Sequence, residues 1–406
     1  MATKVGNVEL YLGPHNIHPD VDNLEDCIVD FIDGAEKKLE IAVQELESRP
    51  IVEAILRAEI ERKAQVKVVL EADYLATTRR PKTVADAFEP KGTNENNRQM
   101  AAAVLRSTAW VRSDFNTNIF HQKFIVRNGA SVLTGSTNFT PTGVGNSPLG
   151  GNLNHVVMVH DPDFTKTFSK EFKEISKGHF GKYTIDRNEK PDPVTVCGIS
   201  LKACFAPDHN PEMEIMKQIA KAQDRIDLAI FIFSQSSGID DAMKLATRAG
   251  TKISGALDAM QGNQTWAATR GLLESDITLR KVDKEKGKVN KLHHKLMTVD
   301  DRVMIIGSFN YTGAANKLND ENIVVIGRPD SDAAKPLVLA ARNEIARIMQ
   351  GARDRVRRCL KRQGWASTHP SPHLRPLATV GFPLPTRERR SPPRTSRPSP
   401  CGSTAA

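Results

Sequence analysis

The sequence predicts an α/β protein built from two similar α/β/α halves related by a pseudo-twofold axis, followed by a disordered C-terminal tail. Three observations support this fold class. A segment of twenty residues occurs twice, as IFHQKFIVRNGASVLTGSTN at 119–138 and as KLHHKLMTVDDRVMIIGSFN at 291–310. Strand-like and helix-like stretches alternate in the same order around both copies. Residues 352–406 differ in composition from the rest of the chain.

The repeat is defined by five identities at fixed offsets. They pair His121, Lys123, Gly135, Ser136 and Asn138 with His293, Lys295, Gly307, Ser308 and Asn310. If each match has roughly a one in twenty chance, five matches at fixed spacing arise by accident on the order of once in a few million alignments. The two halves are therefore expected to share one fold.

The first half begins with a helix-like stretch at 23–38 and a strand-like LEIAVQ at 39–44. A second helix-like stretch at 49–63 precedes the strand-like VKVVLEA at 66–72. After the motif segment, the strand-like HVVMVH and the amphipathic FTKTFSKEFKEISK close the half. The alternation of strands and helices predicts mainly parallel central strands, to which the motif adds an antiparallel hairpin.

The second half repeats this order. Helix-like stretches at 212–225 and 238–250 flank the strand-like IDLAIF, and KISGALDA follows. NIVVIG and the helix-like 333–350 close it. Proline and charge interrupt the pattern in RNEKPDPVTV at 187–196, which predicts the boundary between the halves. We therefore expect repeat 1 at 1–190, repeat 2 at 191–351 and the tail at 352–406.

Each motif segment reads as a β-hairpin. Side chains two apart on a strand share a face, so His121 and Lys123 point the same way, as do their counterparts in the second copy. Asn128-Gly129 between apolar runs is a strong hairpin signal. A two-residue turn there places Ser136 opposite His121. The same turn length in the second copy places Ser308 opposite His293. The expectation is that each serine lies beside the histidine of its own copy.

Composition indicates a globular, intracellular protein. The 406 residues suffice for two medium domains, and 39% are hydrophobic. The five cysteines show no CxxC spacing, which indicates neither a disulfide framework nor a zinc site. The N-terminus lacks the apolar core of a signal peptide, and no segment approaches eighteen uninterrupted apolar residues. We expect a cytoplasmic protein without a transmembrane segment.

The positive net charge is concentrated in the tail. Of the 57 Lys and Arg and 48 Asp and Glu, residues 352–406 hold twelve and two, which leaves 45 basic and 46 acidic residues before them. The tail is rich in Pro, Arg and Ser and too poor in apolar residues to form a core, which predicts disorder. It could bind anionic surfaces such as nucleic acid or membranes, or it could be a solvated appendage.

The duplicated motif has the chemistry of a phosphodiester site. Two histidines brought together across a twofold axis can act as nucleophile and general acid. Two lysines and two asparagines can donate to the non-bridging oxygens of a phosphate. A metal site is less favoured, because each histidine is paired with a cationic lysine, and no cofactor is expected. His294 is expected to be structural, while Phe139 and Tyr311 could either line the cleft or pack.

The pattern H-x-K-x4-D-x6-G-S-x-N, present twice, resembles the phospholipase D superfamily. The second copy has every motif position, including Asp300, and Glu321 follows where the family carries a glutamate that supports the histidine. The first copy has Asn128 for the aspartate, which suits a turn corner equally well, and Asn154 for the glutamate. The resemblance implies a metal-independent reaction through a phosphohistidine.

The resemblance also implies roles for individual residues. The expected catalytic residues are His121, Lys123, Asn138, His293, Lys295, Asn310 and Glu321, with Ser136 and Ser308 expected to bind substrate. We expect Glu321 to bond His293, which would favour His293 as the proton donor and leave His121 as the nucleophile. A carboxylate such as Asp161 or Asp163 could reach His121 and remove this asymmetry.

Three functions compete at this point. The chain could hydrolyse the headgroup ester of a phospholipid, cleave DNA or RNA as an endonuclease with the same chemistry, or bind phosphate without catalysis. The complete His and Lys pairs argue against the third. The nearly neutral folded part argues against a nuclease, since DNA grooves need clustered Lys and Arg. The expected lack of a membrane anchor weakens the lipid hypothesis. It also argues against the cardiolipin synthase-like members that the resemblance includes, since these generally carry N-terminal transmembrane helices.

Overall fold

A computed structural model describes residues 2–18, 20–76, 83–85, 94–185 and 189–362, without the side chains of 353–362. Within these ranges, the residues up to Cys359 form one compact unit. Residues 363–406, which make up most of the predicted disordered tail, lie outside the described residues. None of the helices in the described ranges is long and apolar enough to cross a bilayer.

The first half forms a nine-stranded mixed sheet with the order β1-β2-β8-β7-β6-β3-β4-β5, and β14 from the second half pairs with β8. Its strands are β1 (Thr3–Val5), β2 (Val8–Gly13), β3 (Lys38–Val43), β4 (Gln65–Leu70), β5 (Trp110–Ser113), β6 (Lys123–Arg127), β7 (Ser131–Gly135) and β8 (Gly151–Val159).

The second half forms an eight-stranded sheet with the order β13-β12-β11-β15-β16-β17-β10-β9. Its strands are β9 (Val194–Val196), β10 (Ile199–Ala206), β11 (Arg225–Ile230), β12 (Lys252–Asp258), β13 (Thr278–Val282), β15 (Lys295–Val299), β16 (Val303–Gly307) and β17 (Glu321–Gly327), while β14 spans Val289–Leu292.

Helices connect the strands of both sheets. In the first half they are α1 (Leu24–Asp33), α2 (Arg49–Leu56), α3 (Glu95–Leu105), α4 (Pro141–Val144) and α5 (Pro162–Lys177). In the second half they are α6 (Pro211–Ile219), α7 (Ile239–Arg248), α8 (Ala259–Gly262), α9 (Thr269–Leu273), α10 (Gly313–Lys317) and α11 (Lys335–Arg362).

The core has three layers of apolar contacts, which the strand alternation generates. Phe124 and Val126 on β6 face a central cluster shared by both halves, whereas Ile125 between them faces α1 and α2 on the other side of the sheet. The central cluster contains apolar residues of α5 and α11 and inward faces of both sheets. Phe168 on α5 packs edge-on against Phe124 and Phe205, at 5.3 and 5.1 Å between ring centroids. The predicted pair of α/β/α halves is confirmed.

The expectation of mainly parallel central strands is wrong. Among the described strands, parallel pairing within each half is limited to β3-β4-β5 and β11-β12-β13, and β14 adds one parallel pair with β8 where the halves meet. In each sheet, the motif hairpin and the strands on its other side pair antiparallel. The motif strands pair with β3 and β11. The hairpin that was predicted as an addition to a parallel sheet therefore lies in the middle of each sheet.

The motif hairpins form as predicted, but their register differs by one residue. Arg127 pairs with Ser131 and Val299 with Val303, so each loop has three residues rather than two. Asn128 and Gly129 have positive φ values of 55° and 66°. This shift moves Ser136 out of register with His121, and the predicted pairing of each serine with its own histidine is incorrect.

The asparagine or aspartate at the turn corner has a structural role. Asn128 Oδ1 accepts hydrogen bonds from the backbone N–H groups of residues 36, 37 and 38, at 2.9 to 3.2 Å. Asp300 accepts the equivalent three bonds from residues 223, 224 and 225. Because the bonds need only an acceptor oxygen, Asn replaces Asp in the first copy without loss of the contact.

Candidate active site

The motif histidines meet where the two halves join. The backbone N–H of His121 donates to the Asp320 carbonyl at 2.9 Å, and the backbone N–H of His293 donates to the Leu153 carbonyl at 3.0 Å. Each histidine is therefore anchored by the backbone of the opposite half. Side chains of both line one cavity of about 230 Å³, together with Asn138, Asn310 and Glu321.

The partners of the two histidines are exchanged between the halves, which corrects a sequence expectation. Glu321 Oε2 lies 2.6 Å from Nδ1 of His121, not of His293. Asn154 Oδ1 lies 3.0 Å from Nδ1 of His293. Asn154 Nδ2 donates to the Gly143 carbonyl at 3.0 Å, which identifies Oδ1 as the acceptor. Both histidines therefore carry their proton on Nδ1 and leave Nε2 with a free lone pair.

The alternative carboxylates for His121 are engaged elsewhere. Asp161 caps α5 and accepts from the Phe164 N–H at 2.8 Å. Asp163 lies in the first turn of the same helix and is exposed. Glu321 is thus the carboxylate that serves His121.

The motif serines are buried behind the histidines. Ser308 donates to Glu321 Oε2 at 2.6 Å, and Ser136 donates to Asn154 Oδ1 at 2.8 Å. Both serine side chains are fully buried, and neither lines the cavity. Each serine orients the residue that bonds the histidine of the opposite copy, so the prediction that both serines bind substrate is wrong.

Burial keeps both imidazoles neutral in the substrate-free site. Desolvation lowers the pKa of His121 to about 4, although Glu321 acts in the opposite direction. The pKa of His293 is well below its usual value, because desolvation is joined by the positive charges of Lys295 and Lys123 and no carboxylate opposes them. The two histidines thus differ in how readily each holds a proton.

The motif lysines lie beneath the cavity. Lys123 Nζ donates to the His121 carbonyl at 2.8 Å and to Gln44 Oε1 at 3.1 Å. Lys295 Nζ donates to the His293 carbonyl at 2.9 Å and lies 5.0 Å from the ring centroid of Phe231. Desolvation lowers the pKa of Lys123 to about 7 and that of Lys295 well below normal. A phosphate anion in the cavity would favour the charged form of both.

The motif asparagines present polar atoms to the cavity. The Oδ1 atoms of Asn138 and Asn310 are buried and lack a hydrogen-bond partner among the described residues. Buried polar atoms are normally satisfied, so such a pair indicates a place where a ligand or water binds. Asn138 Nδ2 donates to the carboxylate of Glu45.

Several cavity residues were not found from the sequence. Five further residues line the same cavity: Glu45 after β3, Tyr74 after β4, Asn152 on β8, and Asn290 and Lys291 on β14. One signal was available: the strand LEIAVQ runs directly into a glutamate where IDLAIF runs into isoleucine. The other four residues gave no comparable signal, because their approach to the cavity depends on how the halves pack.

Three neighbours of the motif are structural. Phe139 and Tyr311 are almost fully buried in the outer cores, so both pack rather than line the cleft. His294 stacks parallel to His155, with 3.0 Å between their Nδ1 atoms, which confirms its structural role. At the equivalent place in the other half, Asn322 Nδ2 donates to Gln122 Oε1 at 2.7 Å.

Comparison with known proteins identifies the family. The family described as "Cardiolipin synthase, PLD-like domain" matches residues 28–176 and 215–344, more than half of the chain. Phospholipase D of Rickettsia conorii is 28% identical over 167 residues, which cover 41% of this chain and 77% of the relative. Human mitochondrial cardiolipin hydrolase is 30% identical over 115 residues, which cover 27% of this chain and 42% of the relative.

A solved structure supports the fold of the whole folded part. Phosphatidylserine synthase of Haemophilus influenzae superposes with a TM-score of 0.59 at 12% identity, covering 90% of this chain and 95% of that one. At this identity the likeness concerns the fold alone. The family match spans both halves and both motif copies, and the chain therefore belongs to the phospholipase D-like family and is a hydrolase of the phosphodiesterase type.

Proposed function

We propose that the protein hydrolyses a phosphodiester through a phosphohistidine, without a metal ion, and that its substrate is a phospholipid. The observation that carries the proposal is the pair of neutral imidazoles that line one cavity, each fixed at Nδ1 by a residue of the opposite half. With Nδ1 committed, each Nε2 is the atom free for chemistry.

In the first step, Nε2 of one histidine forms a bond to phosphorus and the phosphorus–oxygen bond to the leaving alcohol breaks. The other histidine, protonated when the phosphate anion is bound, gives its proton to the leaving oxygen. In the second step, water attacks phosphorus, gives a proton to the second histidine, and the nitrogen–phosphorus bond breaks. The donors to the non-bridging oxygens are Nζ of Lys123 and Lys295 and the amide Nδ2–H groups of Asn138 and Asn310, whereas the asparagine Oδ1 atoms can only accept.

We assign the nucleophile to His121 because of its partner Glu321. A phosphorylated imidazole that keeps its Nδ1 proton is cationic, and Glu321 stabilises this charge or accepts the proton. Asn154 cannot do either for His293. The depressed pKa of His293 makes its protonated form a strong acid, which suits a proton donor to the leaving oxygen.

The donor set supports a reaction without a metal. Both Nδ1 atoms are engaged in hydrogen bonds, and Lys123, Lys291 and Lys295 bring positive charge close to the histidines. Cations prefer sites with several carboxylates or free imidazole nitrogens and little positive charge nearby.

A phospholipid fits the two sides of the cavity better than a nucleic acid does. Beside polar residues from both halves, the first half contributes Gln44, Glu45 and Tyr74, whereas the second contributes the apolar Phe231 and Ile232 next to Asn290 and Lys291. A nucleic acid presents a nucleoside on both sides of each phosphodiester, but a phospholipid presents a polar headgroup on one side and an apolar diacylglycerol on the other. An endonuclease with the same chemistry is the competing function.

The test is a parallel assay of the purified protein, in EDTA, on phospholipid vesicles and on single-stranded and duplex DNA. We expect release of headgroup alcohol, with His121→Ala and His293→Ala each reducing turnover by roughly 10³-fold or more, because the two residues act as a unit. His179→Ala is the control, since this histidine bonds Glu174 at the end of α5. Full activity in either site variant would contradict the paired site, and cleavage of DNA alone would favour the nuclease.

The covalent intermediate is testable separately. A reaction with a slowly hydrolysed diester, quenched under conditions that preserve the acid-labile bond, is expected to yield phosphate on His121 by mass spectrometry. Phosphate on His293 would reverse the assigned roles while leaving the two-step chemistry intact.

A further inference from the structure

We propose that Glu45 and Tyr74 form a subsite for a cationic alcohol substituent of the phosphodiester, such as an ammonium-bearing headgroup. This inference rests on the proposed phosphodiesterase function and narrows its substrate class. It concerns residues outside the duplicated motif.

The position of Glu45 follows from strand register. Val43 on β3 pairs with Lys123, and Ile230 on β11 pairs with Lys295. Gln44 and Glu45 are therefore the structural equivalents of Phe231 and Ile232. The pseudo-twofold axis thus relates a carboxylate in the first half to an aliphatic side chain in the second.

Glu45 lies one hydrogen bond from the place where the phosphate binds. Its carboxylate accepts from Asn138 Nδ2, and the Tyr74 hydroxyl also donates to it. In phosphoethanolamine or phosphocholine groups, only two carbons separate the nitrogen from the phosphate ester oxygen. A substrate phosphate near Asn138 would therefore hold its ammonium group within reach of Glu45.

The Glu45 carboxylate is not held in a direct ion pair. Among the described residues no cation lies within 4.0 Å of it, and the positive charges that act on it, Lys123 and Lys291, do so at longer range. A carboxylate beside a phosphate site repels the substrate unless the substrate itself carries a positive charge. Tyr74 adds an aromatic ring, which also attracts ammonium groups.

Glu45 ionises within the pH range in which the enzyme can be assayed. Burial raises its pKa to about 6, with Glu47 raising it further and Lys123, Lys291 and Tyr74 opposing the rise. The carboxylate is charged at pH 8 and largely neutral at pH 5. Preference for cationic substrates should therefore weaken as the pH falls through about 6.

The experiment compares two soluble diesters that differ only in charge, p-nitrophenyl phosphocholine and its 3,3-dimethylbutyl analogue, in which carbon replaces the quaternary nitrogen. At pH 8 the ratio of their kcat/KM values should favour the cation and should fall about tenfold in Glu45→Gln, the loss expected for one half-buried charged contact. Glutamine keeps an acceptor for Asn138. Glu47→Gln is the matched control, since Glu47 bonds Asn97 and does not line the cavity.

Each outcome separates the subsite from the proposed function. An equal loss on both diesters in Glu45→Gln would show that Glu45 only positions Asn138, and an unchanged ratio would show that it does not sense charge. Either result overturns the subsite. Wild-type protein that turns over both diesters but no phospholipid vesicle would overturn the lipid substrate instead, and inactivity on every diester would overturn the phosphodiesterase itself.

Discussion

Asn154 makes the two histidines chemically unequal. It occupies the place that Glu321 has in the other half, and both accept a serine hydroxyl and a histidine Nδ1–H. Only Glu321 carries a charge, so only His121 has a carboxylate that favours its cationic form. The sequence revealed the substitution of Glu by Asn, but it assigned the two residues to the wrong histidines.

Asn154→Asp should raise the pKa of His293 by giving it a carboxylate partner. If His293 is the proton donor, it must be protonated to act, and the basic limb of the pH profile should move to higher pH. If it is the nucleophile, it must be neutral, and the acidic limb should move instead. The measurement is kcat/KM against pH for the variant and the wild type on a soluble diester.

A control separates this charge effect from structural damage, because the aspartate variant would lose the bond that Asn154 Nδ2 donates to the Gly143 carbonyl. Asn154→Ala also loses that bond but adds no charge. It should lower activity without moving either limb upward, and a matching upward shift in both variants would contradict the electrostatic explanation.

The motif hairpins are the elements that position the site, and their turns are held by side chains. Asn128 and Asp300 both adopt positive φ and each accepts three backbone N–H bonds at the start of the neighbouring strand. The Asn-Gly signal predicted the turn correctly. It did not predict the third loop residue, because loop length depends on how the flanking strands pair.

Asn128→Ala should lower the free energy of unfolding by about 1–2 kcal/mol, since it removes the acceptor of three hydrogen bonds from exposed or part-buried backbone and disfavours the positive φ. Asn128→Asp should change it by about 0.5 kcal/mol or less, because Asp300 makes the same contacts. Urea unfolding measures both. Equal stability of the alanine and aspartate variants would refute the assigned role of this corner.

At the scale of the whole molecule, the halves meet through two equivalent buried pairs of different chemistry. Gln122 bonds Asn322 on one side, and His294 bonds His155 on the other. The Gly307 N–H donates to His155 Nε2 at 3.3 Å, so His155 donates from Nδ1 to His294. His294 then carries its proton on Nε2, which lies 3.6 Å from Glu344. This arrangement requires both rings to be neutral.

The histidine pair should make stability depend on pH. Burial lowers the pKa of both His155 and His294, so the unfolded chain binds protons that the folded one does not. The stabilisation that the two neutral histidines contribute is complete above the pKa of histidine in the unfolded chain, roughly 6.5, and is lost as the pH falls below that value. Stability should therefore decrease from pH 7 to pH 5 through these groups.

The double variant His155→Asn with His294→Gln copies the pair of the other half and isolates this effect. Its unfolding free energy should fall less between pH 7 and 5 than that of the wild type. The variant must be compared with the wild type, because buried acids change the unfolding free energy in the opposite direction as the pH falls. Asp320, whose pKa burial raises to about 8, is one of them. Identical pH dependence in both proteins would contradict the prediction.

The C-terminal region is expected to be dispensable for catalysis. Helix α11 runs to Arg362 and Ala352 lies in the central core, so a truncation should follow the end of the helix rather than the predicted boundary at 351. A chain ending at Arg362 loses six Arg and one Glu. It should keep its turnover on a soluble diester and lose only salt-dependent binding to anionic vesicles or DNA. Failure of the shortened chain to fold would contradict this boundary.

The sequence by itself determined the duplication, the two motif copies, the hairpins and the residue types available for phosphodiester chemistry. These features are local or repetitive, and strand periodicity and turn chemistry depend on neighbouring residues. Only the tertiary structure decided that Glu321 serves His121, that the serines lie behind the site and that Glu45 lines the cavity. Those contacts join residues up to 200 positions apart, because the halves associate across a pseudo-twofold axis, and no local pattern records which face of one half meets the other.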